Sequence, residues 1–86
     1  MPEPSAYESH LSRAAASFVV SLPRRQQRLV LDLADQIARQ PFLVSDYQTK
    51  DAVGREVENV LLDAYVFTYR VDHAVREVRI TEIVRT

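Results

Sequence analysis

The chain has 86 residues, enough for a single small domain with a modest buried core that a partner would help to stabilise. Its hydrophobic fraction is 47%, and eleven basic against twelve acidic side chains leave a net charge of −1, which argues against tight non-specific nucleic-acid binding. Cysteine is absent, which excludes disulfides, thiolate metal sites and cysteine nucleophiles, and no apolar run approaches the roughly 18 residues of a membrane helix.

In chain order, residues 1–5 carry Pro2 and Pro4 and read as a frayed leader. Residues 6–11 are expected to form a short strand with Tyr7, Ser9 and Leu11 on one face. Ser12 is placed to cap a helix over 13–22, in which Ala15, Phe18, Val19 and Leu22 recur at helical spacing. Pro23 interrupts that pattern and opens a second helix, 24–39. There Val30, Leu33, Ala34, Ile37 and Ala38 form one apolar side, no glycine intervenes, and Pro41 follows the end. The two helices read as a hairpin around Pro23.

Residues 41–54 lack periodicity and read as a loop, with Gly54, the single glycine, the expected site of a positive φ. Residues 55–62 alternate imperfectly and are expected to be a strand, and 63–64 a tight hairpin turn. In 65–71, Tyr65, Phe67, Tyr69 and Val71 alternate with Val66, Thr68 and Arg70, which gives an aromatic core face and a lighter mixed face. A turn at 72–76 leads to the last strand, 77–84, where Ile83 breaks the parity of Val78 and Ile80 and predicts a bulge or strand end. The expected fold is α+β in one domain, 1–86: a short N-terminal strand, a two-helix hairpin, then a three-stranded antiparallel meander. The helices cover the aromatic sheet face, and the opposite face stays open.

The strings Tyr7-Glu8-Ser9-His10-Leu11-Ser12-Arg13, Ser21-Leu22-Pro23-Arg24-Arg25, Gln40-Pro41, Tyr65-Val66-Phe67-Thr68-Tyr69-Arg70-Val71-Asp72 and Val78-Arg79-Ile80-Thr81-Glu82-Ile83-Val84-Arg85 occur in that order. Together they resemble the RelE/ParE superfamily of toxins from bacterial type II toxin–antitoxin systems, over nearly the whole chain. The resemblance implies a cytoplasmic toxin held inactive by a cognate antitoxin protein. For a RelE-like member it implies metal-independent cleavage of messenger RNA on the ribosome, without a cofactor. The alternative it implies is a ParE-like or catalytically degenerate module that binds antitoxin, gyrase or a second copy of itself as a homodimer. Two departures bear on this choice. Val66 stands where the family's aromatic strand carries an arginine, and only Thr86 follows Arg85, where an aromatic acid–base group is often found.

RNA cleavage of this kind needs a base, an acid and a cation for the developing phosphorane charge. Only Lys50 among the basic residues is not an arginine, and arginine's fork suits phosphate. The candidate catalytic residues are Arg70, Arg79, Arg85 and His73, with Lys50, Arg55 and Tyr47 as candidate RNA-binding residues. Alternation puts Arg70 on the open side, and Arg79, opposite in parity to Val78 and Ile80, shares it. Against this stands cross-strand pairing of the same arginines with Glu58, Glu77 and Glu82. His73 is taken as the candidate base, oriented by Asp72, ahead of His10. The basic start of the second helix, Arg24, Arg25 and Arg28, opposes the helix dipole.

Overall fold

The computed structural model describes residues 6–86, so the leader expected at 1–5 lies outside the described residues. The elements are β1 (Glu8–Leu11), α1 (Arg13–Val20), α2 (Arg24–Arg39), β2 (Tyr47–Lys50), β3 (Glu56–Leu62), β4 (Tyr65–Asp72) and β5 (Glu77–Arg85). They build an α+β fold on one five-stranded sheet in the order β1-β5-β4-β3-β2. The three expected meander strands lie at its centre, antiparallel throughout. The N-terminal strand joins as a parallel neighbour of β5. The segment expected as loop, 41–54, contributes one more strand, β2, along the free edge of β3. All four β2 residues are exposed, so no inward–outward alternation marks them in the sequence.

The aromatic face of β4 organises the core. Tyr65, Phe67 and Tyr69 are each at most 1% exposed and belong to one cluster with Val30, Leu33, Ala34 and Ile37 of α2 and Ala15 and Val19 of α1. Burying each such large side chain stabilises the fold by roughly 1.5–3 kcal/mol. Phe18 meets the Tyr65 ring edge-on at 6.0 Å, and the Tyr65 hydroxyl donates to Gln26 Oε1 at 2.7 Å. The apolar stripe of α2 is buried at every expected position.

Local chemistry fixes the element ends. Ser12 caps α1 by accepting from the Ala15 amide at 3.1 Å, and its hydroxyl donates to the Thr81 carbonyl at 2.8 Å. That carbonyl belongs to the bulge that the sequence anticipated: pairing slips between Thr68 and Tyr69, which face Glu82 and Ile80 and leave Thr81 unpaired between them. The slip returns Ile83 to the helix-covered side, opposite Phe67. Pro23 precedes α2 with no side-chain cap. Gly54 has φ +85°, as expected, in a turn closed by Asp51, whose Oδ1 accepts from the Val53 and Arg55 amides. Asp63 (φ 58°) and Arg76 (φ 55°) also take the left-handed conformation at the hairpin turns.

Candidate functional site on the open sheet face

Strand alternation leaves Val57, Asn59, Val66, Thr68, Arg70, Arg79, Glu82 and Val84 on the side of the sheet opposite the helices. Val57 is buried there, outside the helix-covered cluster. A chain of side-chain hydrogen bonds crosses the centre of this face. Asn59, 4% exposed, donates to Thr49 Oγ1 at 3.0 Å and accepts from Thr68 Oγ1 at 2.7 Å. Thr81 Oγ1 then reaches the Thr68 carbonyl at 3.3 Å. This ladder holds four strands in register with neutral groups. It floors a groove of about 460 Å³ bordered by Tyr47, Lys50, Val66, Glu82, Val84 and Ala14. Val66 thus occupies the centre of the open face, where the resemblance calls for an arginine.

A second depression, about 470 Å³, adjoins the groove at Thr81 and is lined by His10, Arg70, Glu77 and Arg79 among others. Arg70 and Arg79 are direct cross-strand partners on β4 and β5, and β1 brings His10 alongside Arg79. Arg79 is held by Glu77, with Nη2 to Oε1 at 3.0 Å and Nε to the same oxygen at 3.2 Å. The other Glu77 oxygen lies 3.4 Å from His10 Nε2, an ion pair when the ring is protonated. Arg70 makes no ion pair among the described residues, and its Nε is enclosed without a hydrogen-bond partner. Like charges facing each other across strands are unfavourable. An anion between them would relieve that repulsion and supply the acceptor that Arg70 Nε lacks. The arrangement can hold a phosphate, with His10 beside it as a proton-transfer group.

The other sequence candidates lie elsewhere. His73 is stacked on Phe42 at 5.0 Å between centroids, with its Nδ1 2.8 Å from Tyr7 Oη. It therefore belongs to a cluster at the end of α2, and His10 is the histidine in the arginine cleft. Arg85 pairs with Tyr65 at the far end of β4 from Arg70 and lies over that ring at 6.0 Å. Arg55 is paired with Asp51 at 2.9 Å, and the neighbouring Arg55 amide, with burial working against it, holds the Asp51 carboxyl below its usual value. Lys50 and Tyr47 border the groove floored by the Asn59 ladder. Sequence parity placed Arg70 and Arg79 on this face, where the strand register has them. The place of His10 depended on the parallel pairing of β1 with β5, which no local pattern encodes.

Neither a metal cluster of three or more histidines or acids nor a helix long and apolar enough to cross a membrane occurs among the described residues. No protein-family model matches the chain, and no curated protein sequence matches it. Solved structures do. A chain of the toxin–antitoxin complex RelBE2 from Mycobacterium tuberculosis is similar with a TM-score of 0.76 and 20% identity, over 94% of this chain and 99% of that one. A chain of the archaeal RelE–RelB complex from Pyrococcus horikoshii has a TM-score of 0.69 at 16% identity, covering 93% and 94%. One from the intact Escherichia coli RelBE complex has 0.69 at 13%, covering 94% and 98%. Across nearly its full length, therefore, this chain has the RelE fold.

Proposed function

We propose that the chain is the toxin of a type II toxin–antitoxin pair, a RelE-like protein that acts in the cytoplasm and is neutralised by a cognate antitoxin. The observation that carries this reading is the whole-chain fold likeness to chains of three toxin–antitoxin complexes. In its finer form the proposal is metal-independent cleavage of messenger RNA at the ribosome. Arg70 and Arg79 would clamp the scissile phosphate and stabilise its developing charge, and His10, beside Glu77, would move the proton. The test is induced expression in a bacterial host, alone and together with the product of the neighbouring gene. Growth arrest alone and recovery on co-expression are expected; unimpaired growth with soluble, folded protein contradicts the proposal.

A second reading has its own support. The neutral ladder Thr49–Asn59–Thr68 and the apolar Val66 and Val84 form the centre of the open face, with Lys50 kept to the border beside Asp51, a surface suited to a polypeptide rather than to phosphates. On that reading the protein is a ParE-like or non-cleaving member that acts by binding another protein. Growth arrest with intact transcripts separates it from the first.

A further inference from the structure

A third depression, about 410 Å³, lies beyond the C-terminal end of α2 and is lined by Pro41, Phe42, Glu56, Glu58, Tyr69 and His73 among others. Tyr69 is 1% exposed, yet its hydroxyl has no hydrogen-bond partner among the described residues, an omission that costs on the order of 1–3 kcal/mol in a buried group. Glu58 is its direct cross-strand partner on the same face and already accepts from neutral donors, Ser45 Oγ at 2.7 Å and Gln48 Nε2 at 2.9 Å, with no cation beside it among the described ion pairs. Glu56, two residues earlier on that face, makes no ion pair among the described residues, Lys50 opposite it included. Phe42, 77% exposed, presents its ring beside these acids and is held upright by the stacked His73 and by the edge of Tyr7. Arg70 borders the depression, but its pairing with Arg79 assigns its side chain to the other face of the sheet.

We propose that this depression binds a guanidinium group, that of an arginine on a partner polypeptide. Two carboxylates on one wall exclude an anion, and the unpartnered hydroxyl calls for a polar ligand rather than an apolar one. A guanidinium supplies a counter-charge for Glu56 and a donor for the Tyr69 hydroxyl, and adds a charged donor to Glu58. Its N–H groups reach Glu56 and Glu58 as charge-assisted donors, and one of them donates to Tyr69 Oη. Its flat face rests on the Phe42 ring, an arrangement arginine makes more readily than lysine. The assignment is independent of the arginine cleft on the opposite face and of whether the chain is a toxin.

The test is a titration of the ¹⁵N-labelled full chain with N-acetyl-arginine N-methylamide, and with its citrulline counterpart, which keeps the shape and loses the charge. Saturable shifts are expected at the amides of Phe42, Glu58 and Val71 with the arginine probe alone. They should weaken about tenfold in a Glu56→Gln/Glu58→Gln variant, and several-fold in Tyr69→Phe, which retains the ring and its packing. Equal response to citrulline, unchanged binding by the double variant, or no saturable shift at these amides overturns the proposal.

Discussion

Arg70 and Arg79 face each other across β4 and β5 on the side of the sheet opposite the helices, and of these two arginines Glu77 engages Arg79, its other oxygen facing His10. One carboxylate for two guanidinium groups makes the cleft receptive to an anion. Arg70→Ala should therefore lower the affinity of the full chain for a short RNA at least tenfold, as read by fluorescence anisotropy at fixed salt. Glu77→Gln should raise it by freeing Arg79. Equal affinity in wild type and Arg70→Ala would remove the cleft from the proposed RNA-binding surface.

Burial, followed by the Glu58 and Asp46 charges, raises the Tyr69 pKa above its ordinary value of 10.0. The native state thus retains this proton to higher pH than the unfolded chain does. Its contribution to stability is complete below pH 10 and is lost as pH rises from there through the folded pKa. Urea denaturation of Tyr69→Phe should accordingly show a shallower alkaline decline above pH 10 than wild type. Parallel declines in the two proteins would contradict this.

Phe67 is fully buried where the helices meet the sheet. Phe67→Ala should lower unfolding free energy by about 3–5 kcal/mol, measured as a shift in urea midpoint. Because a chain of this size has little stability to lose, the variant should be largely unfolded near 37 °C.

Ser12 ties two elements together, capping α1 and bonding the carbonyl of the unpaired Thr81. Ser12→Ala should cost about 1–2 kcal/mol. Gly54→Ala meets no atom within 4 Å but keeps a left-handed backbone, so its cost should be about 1 kcal/mol. Thermal denaturation of both variants checks the pair. A larger loss at Gly54 than at Ser12 would contradict the weight given to the cap.

What the sequence revealed depended on how local the signal was. The α2 stripe at Val30, Leu33, Ala34, Ile37 and Ala38 and the alternation Tyr65–Phe67–Tyr69 are short-range periodicities, and both reappear as the two sides of the core. The parity break at Ile83 foretold the bulge at Thr81, because a strand that must keep one face buried reveals an extra residue. Long-range pairing left no such trace. His10 entered the cleft through a parallel neighbour 69 positions away, Arg79, while His73 was drawn off by Phe42 and Tyr7. Arg85 fell to the far end of β4 because antiparallel strands send their termini apart. The Asn59 ladder also escaped notice, since asparagine in a strand reads locally as a weak former. Its members come from four different strands.

The proposed action of the open-face arginines Arg70 and Arg79 on RNA is tested most directly by transcript mapping after induced expression. Primer extension of abundant messages should show new 5′ ends with the wild-type chain. An Arg70→Ala/Arg79→Ala variant, verified as folded by circular dichroism, should leave the messages whole. Intact transcripts in cells that hold soluble wild-type protein, or cleavage that persists in the double variant, would contradict it.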